Sequence, residues 1–307
     1  MTPWPGSAPD SSTLGDTRPA WFREGARAKV NLTLHVLGKR PDGYHELESL
    51  VVFADLRDEL SFRPGPADNL HLEGPFASAV DGENLVLKAK RAMAAWLGHE
   101  ISGDFKLEKN IPVAAGLGGG SSDAAAAIRL LLGAYGASSK PDAFIERAAT
   151  IGADVPVCLY HRPAWIRGLG ERVTAAPNIA ALPAVLVNPR VKLSTADVFK
   201  CLSAPPYDPG GGTGPALADS NFSTPEKAAA SLHGGRNDLE PPAAALEPAI
   251  AGVLDALRNQ KDCLLARLSG SGPTCFGIFP SHAAAEQAAS EITRARPAWW
   301  VAATVLS

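Results

Sequence analysis

The stretch IPVAAGLGGGSSDAAAA, residues 111–127, is the segment of this 307-residue chain whose residue types point most directly to chemistry. Gly116, Gly118, Gly119 and Gly120 carry no Cβ and tolerate positive φ, so successive N–H groups can converge on an anion. Ser121, Ser122 and Asp123 then open an alanine-rich helix whose N-terminal dipole attracts phosphate. A flexible linker or a close helix crossing is the competing reading, but a linker has no need to run straight into a capped helix. Two familiar phosphate loops do not fit. No Lys follows the glycines as GxxxxGK[ST] requires, and Ser121 stands where GxGxxG places its last Gly after Gly116 and Gly118. The HRD and DFG strings of protein kinases are absent as well.

Two further stretches carry reactive side chains. In IGADVPV, Asp154 sits between Ala153 and Val155 and two residues ahead of Pro156. A carboxylate so placed is poorly hydrated and suits a general base whose neighbours tune its pKa, although capping the turn beside the proline is an equally simple role. Lys29 and Asn31 are two residues apart on an alternating stretch and so point the same way, as a reactive pair or as a solvated face. The four cysteines, Cys158, Cys201, Cys263 and Cys275, are far apart and lie among apolar neighbours, which predicts reduced core residues in a cytoplasmic protein.

The elements that must hold these residues follow from periodicity. Ala26, Ala28, Val30, Leu32, Leu34 and Val36 alternate with Arg27, Lys29, Asn31, Thr33 and His35, which predicts one half-buried strand. A turn at GKRPDG, residues 38–43, leads to a returning strand over 47–54, and shorter pieces at 59–63 and 69–72 continue a mostly antiparallel sheet. Asn84 is placed to cap a helix running to about Leu97. A strand at 105–109 feeds the glycine-rich segment, and the helix after it runs to about Tyr135, with Gly133 and Gly136 weakening its end. Helices near 241–259 and 282–295 and strands near 264–268, 275–279 and 301–305 indicate a second α+β domain. The expected divisions are a loose tail over 1–20, a glycine-loop domain over 21–165 and a second domain over 166–307, with DPGGGTGP at 208–215 as an inserted loop.

Composition narrows the class. Lys plus Arg number 29 against 32 Asp plus Glu, a net charge of −3 that calls for neither nucleic acid nor an anionic membrane surface. The longest run without Asp, Glu, Lys or Arg, 268–285, holds three Ser, a Thr, a His and two Pro, so it predicts no membrane span.

Together these stretches resemble the GHMP kinases, the superfamily of galactokinase, homoserine kinase and mevalonate kinase, whose phosphate loop reads roughly P-x-x-x-G-L-[GS]-S-S. AKVNLTLHV, GKRPDGYHELESL, PVAAGLGGGSSDAAA, IGADVPV and SGSGPTCFGIF occur in the order of one branch, which acts on a methylerythritol joined to cytidine diphosphate. The resemblance runs from about Phe22 to the end, and DGYH and AGLGGGSSDAA are specific to that branch. It implies an α+β, two-domain fold: an N-terminal domain like ribosomal protein S5 domain 2 and a ferredoxin-like C-terminal domain, with a cleft for both substrates.

The resemblance further implies ATP-dependent phosphorylation of a substrate hydroxyl, with Mg2+ accompanying ATP and no metal ligand assigned. Asp154 corresponds to the base and Lys29 to the cation that polarises it. Pro112, Val113, Ala114, Ala115, Gly116, Leu117, Gly118, Gly119, Gly120, Ser121 and Ser122 would wrap the ATP phosphates, with Asn84 and Lys109 near the adenosine. Tyr44, His45 and Phe199 would meet the cytosine, and Asn31 the reacting end of the substrate. The sequence departs from the branch at Pro273, which removes one backbone N–H after SGSG and leaves that turn with either a binding or a structural role. Two alternatives remain open at this level: a GHMP kinase acting on homoserine or mevalonate, and a nucleotide-binding protein without catalysis. The oligomeric state is not encoded in any motif.

Overall fold

The computed structural model describes residues 20–135, 144–176, 178–209 and 220–307. In chain order the elements are β1 (Phe22–Asn31), β2 (His35–Lys39), β3 (His45–Pro64), β4 (Leu70–Glu73), α1 (Leu85–Leu97), β5 (Gly103–Glu108) and α2 (Gly119–Ala134). Then come α3 (Ile145–Ala148), α4 (Val155–Tyr160), β6 (Ala164–Gly168), β7 (Arg172–Ala175), β8 (Leu182–Asn188) and α5 (Thr195–Cys201). The chain ends with α6 (Pro225–Leu232), α7 (Glu240–Leu246), α8 (Ala249–Arg258), β9 (Leu265–Leu268), β10 (Cys275–Ile278), α9 (His282–Ala295) and β11 (Trp300–Leu306). The chain divides into two compact units. One holds the described part of Met1–Ala28 with Arg57–Val113 and Gly119–Tyr160; the other holds Lys29–Leu56, Ala114–Gly118 and His161–Ser307.

In the first unit β5 pairs antiparallel with the far end of β3, Glu59–Pro64, and parallel with β4. A parallel pair needs a crossover, and α1 supplies it, so the piece at 69–72 is not part of an antiparallel meander. Asn84 caps α1 by accepting the Val86 N–H at 2.9 Å, and Gly98 ends it in the left-handed region. α2 packs against α1 and α4, and its alanines from Ala124 to Ala127 are buried because small side chains allow the helices to approach closely.

In the second unit the order β3-β11-β8-β10-β9 is antiparallel throughout. β2 and β6 flank the first half of β3, and β7 extends β6. α8 and α9 cover β8 to β11 through Ile250, Val253, Leu257, Ala285 and Ile292. The expected helix over 241–259 is two helices, because Pro248 has no N–H to continue α7.

Two further expectations are corrected. The alternating stretch from Ala26 is not one half-buried strand: it breaks between Asn31 and His35, and its polar side chains Lys29, Asn31, Thr33 and His35 are as buried as its apolar ones. Alternation reports two chemically different faces and not which is wet. None of the four cysteines is in a disulfide; Cys158 and Cys275 are buried but Cys201 is exposed on the last turn of α5. The tail over 1–19 and the insert from residue 210 lie outside the described residues.

Candidate active site

In the second unit the polar side of β1 builds a buried hydrogen-bonded chain. Lys29 Nζ donates to Asn31 Oδ1 at 2.9 Å, Asn31 Nδ2 donates to Ser49 Oγ at 2.8 Å, and Ser49 Oγ donates to the Thr33 carbonyl. Because the ammonium fixes which end of the Asn31 amide is oxygen, the carboxamide cannot flip. Lys29, Asn31 and Ser49 are 4%, 1% and 0% exposed, so each is held by its partners and not by solvent.

The middle of the glycine-rich segment joins this chain through the backbone. Lys29 N–H donates to the Leu117 carbonyl at 2.8 Å, and Asn31 N–H donates to Ser269 Oγ, which itself donates to the Gly116 carbonyl at 3.2 Å. Thr274 N–H reaches the Ala115 carbonyl. The SGSG turn is therefore the second wall of the glycine segment. At Gly116, φ is +74° and a Cβ would stand 2.7 Å from the carbonyl oxygens of both Ser269 and Gly272, so no other residue fits. Asn237 holds the turn from behind, donating to the Leu268 and Gly270 carbonyls.

The aromatic residues sit on neighbouring elements of the same unit. Thr195 Oγ1 at the start of α5 lies 2.7 Å from Ser271 Oγ, and Phe199, one turn on, stacks against His45 with ring centroids 5.1 Å apart and planes at 26°. Burial, with the Lys39 charge second, lowers the His45 pKa, so that ring is neutral near pH 7. Tyr44 is 64% exposed on a turn closed by Arg40 N–H on its carbonyl and by its own N–H on Asp42. The ring that faces Phe199 is thus His45, while Tyr44 projects outward.

In the first unit the segment ends as a helix. Gly119 and Gly120 are already the first residues of α2, so Ser121 and Ser122 lie inside its first turn and not before it. Ser122 turns inward: its hydroxyl donates to the Arg27 carbonyl at 2.7 Å and lies 3.3 Å from Cys158 Sγ. Pro112 is buried and Val113, Ala114 and Gly120 are exposed. Half-buried Asp154 directly precedes α4, and its carbonyl takes the Cys158 N–H. The turn before it is held by Lys88 Nζ on the Ile151 carbonyl at 2.9 Å, and Gly152 packs at Ser121. Lys109 is buried at 3% exposure and paired with Asp58 and Asp123. Sequence reading missed Ser49, Asn237, Lys88 and Asp58, and named Ser269 only as the start of the SGSG turn. Asp58 lies in the charged run DLRDE, residues 55–59, where nothing local marks it as buried, and a serine on a strand carries no signal either.

Residues 84–162 match the GHMP kinases N terminal domain model and residues 215–298 the GHMP kinases C terminal model. A 4-diphosphocytidyl-2-C-methyl-D-erythritol kinase of Dinoroseobacter shibae is 46% identical over 99% of both chains, and one of Rhodopseudomonas palustris is 47% identical over 93% of this chain and 97% of its own. The chain belongs to the 4-diphosphocytidyl-2-C-methyl-D-erythritol kinase family. A crystal structure of a member, at 33% identity, matches with a TM-score of 0.75 over 93% of this chain and 99% of that one. Homoserine kinase from Cytophaga hutchinsonii, at 18% identity and a TM-score of 0.69, shares the fold. The two-domain α+β architecture of the GHMP kinases is thereby established for this family member.

Proposed function

We propose that this chain transfers the terminal phosphoryl group of ATP to the 2-hydroxyl of 4-diphosphocytidyl-2-C-methyl-D-erythritol, in the cytoplasm. The observation that carries the proposal is the 46% identity to a kinase of that name over 99% of both chains. Phosphoryl transfer asks the protein mainly for positioning, charge neutralisation and one acceptor for the hydroxyl proton. Asp154 is the acceptor. Lys29, held by Asn31, supplies fixed positive charge, and Asn31 lies against the reacting end of the substrate. Residues 112–122 take the phosphates, with backbone N–H groups of the segment and the N-terminus of α2 compensating their charge. His45 and Phe199 form the platform for cytosine, and Tyr44, on the exposed turn beside His45, is the third aromatic contact.

Mg2+ is proposed to arrive with ATP. Among the described residues no group of three His, Cys, Asp or Glu side chains could cage an ion, and the Ser122 hydroxyl turns inward to donate to the Arg27 carbonyl. These residues do not fit a resident metal site. Mg2+ characteristically keeps its waters and binds through substrate phosphates, so no step here is routed through it. The test is ATP turnover with the cytidine substrate, homoserine and mevalonate in parallel. Turnover of the first alone is expected; turnover of either other alcohol in its place overturns the assignment, and ATP binding without any turnover favours the non-catalytic alternative.

A further inference from the structure

The first unit contains both ends of the glycine-rich segment, and three buried ionisable side chains join them. Asp58 Oδ1 on β3 accepts the N–H groups of Asn110 and Ile111, at 2.5 and 2.8 Å, where the chain enters the segment. Asp58 Oδ2 takes the Lys109 ammonium, which also donates to Asp123 Oδ2 at 2.7 Å, in the first turns of α2 where the segment ends. A Cβ placed on Gly119, the first residue of α2, would stand 3.6 Å from Lys109 Nζ and 3.8 Å from Asp58 Oδ2. The side chains of Lys109, Asp58 and Asp123 are 4%, 0% and 5% exposed.

One ammonium faces two carboxylates, so the fully ionised cluster carries a buried net charge of −1 close to the start of α2. Asp123 Oδ1 is buried with no hydrogen-bond partner, which is costly for an ionised oxygen and far less so for a protonated one. We infer that Asp123 is a positioning residue for the nucleotide, taking up a solvent proton on Oδ1 as the ATP phosphates dock at the start of α2. This rests on the reading that residues 112–122 hold those phosphates. The proton leaves one ammonium and one carboxylate in the cluster, so no uncompensated negative charge opposes the incoming anion.

The electrostatics agree with the geometry. Burial first, then the Asp58 charge, push the Asp123 carboxyl up against the opposing pull of Lys109, to about 7. Burial alone would lower Lys109, but the two carboxylates outweigh it and the ammonium is retained. α1 and α4 also pack on α2, yet among the described residues the charges acting on Asp123 are Lys109 and Asp58. Bound phosphate raises the Asp123 pKa further, so the complex holds more protons than free protein. ATP affinity is then complete below about pH 7 and is lost as pH rises above it, by at most about tenfold per pH unit.

Calorimetric titration with Mg2+ and ATP at about pH 7.5, in buffers of different ionisation enthalpy, counts the protons; ATP's own phosphates are largely ionised there. Wild type is expected to take up several tenths of a proton. Asp123→Asn, of the same shape and unable to titrate, is expected to take up none and to bind ATP with an affinity flat between about pH 6.5 and 8.5. ATP binding by wild type without proton uptake overturns the inference alone, whether or not the variant folds. Unchanged proton uptake and pH slope in Asp123→Asn overturn it too, and failure to bind ATP at all overturns both it and the reading beneath it.

Discussion

At the scale of the residue, the proposed chemistry divides between groups that act and groups that hold them. Asp154→Asn keeps the size of the side chain and the carbonyl that takes the Cys158 N–H, but removes the proton acceptor. Its kcat is expected to fall by about 10² to 10⁴, the usual contribution of a positioned base, with KM for both substrates little changed. Steady-state kinetics on a variant with wild-type circular dichroism decides this; near-wild-type kcat would make Asp154 a capping residue. Asn31→Leu tests the holding function, because Lys29 loses its 2.9 Å acceptor and Ser49 its donor. A loss of kcat comparable to that of Lys29→Ala is expected, and an unaffected kcat would separate Lys29 from the chemistry. For the base platform, Phe199→Ala removes the ring stacked on His45 and should cost on the order of 1 to 3 kcal/mol. That is a loss of roughly 5- to 150-fold in kcat/KM for the cytidine substrate. KM for ATP serves as the internal control and should not move.

At the scale of the element, two glycines in neighbouring elements answer oppositely. Gly116→Ala forces a Cβ to within 2.7 Å of two carbonyl oxygens of the SGSG turn at a φ of +74°. The expected cost is about 1–3 kcal/mol from the backbone alone, with a raised KM for ATP as the wall moves. Gly133→Ala in the last turn of α2 meets nothing within 4 Å and should stabilise by about 0.4–1 kcal/mol. Urea midpoints measure both, and a Gly116→Ala variant as stable as wild type would mean the two turns separate readily.

β2 carries a pH dependence. His35 is 0% exposed and its Nε2 accepts the Arg236 N–H at 3.2 Å, beside the Leu34 and Val36 bonds to residues 236 and 238. Burial first, then the Arg236 charge, lower its pKa. The unfolded chain therefore binds the proton more readily, and stability present above about pH 6.5 is lost as pH falls below it, at no more than about 1.4 kcal/mol per pH unit. His35→Gln should flatten the urea midpoint over that window, and an unaltered slope would assign the acid sensitivity elsewhere.

At the scale of the molecule, ligand binding and folding are linked. A substrate present at about 100 times its Kd stabilises by about 2.7 kcal/mol, several degrees in the melting temperature of a chain this size. The cytidine substrate is expected to give that shift, and homoserine and mevalonate none. Homoserine kinase shares the fold, so discrimination falls to groups that the cytidine substrate has and homoserine and mevalonate lack, the cytosine, ribose and diphosphate among them. A shift with mevalonate alone would move the chain to another branch.

Much of this was legible in the sequence because it depends on local geometry. Asn84 caps α1 as its position implies, and α9 spans His282–Ala295 as its pattern predicts, since capping and helical period need only neighbouring residues. The glycine-rich segment likewise announced a tight turn running into a helix, and the order of the five motifs pointed to the family. Elements with weak local signals were missed: β6, β7 and β8 are short or apolar throughout, and pairing of β6 with β3, of β7 with β6 and of β8 with β10 and β11 makes them strands. Whether the polar face of β1 is wet was also beyond the sequence. Lys29 and Asn31 alternate like a solvated edge, and only residues far along the chain, Ser269 and the SGSG turn among them, bury them. The same holds for Asp58, Lys109 and Asp123. Three charges separated by 51 and 14 positions look like surface residues until the fold brings one ammonium between two carboxylates. Periodicity and capping are decided within a few residues, whereas burial and charge pairing depend on what arrives from elsewhere, and in this protein the buried charges are set by the second.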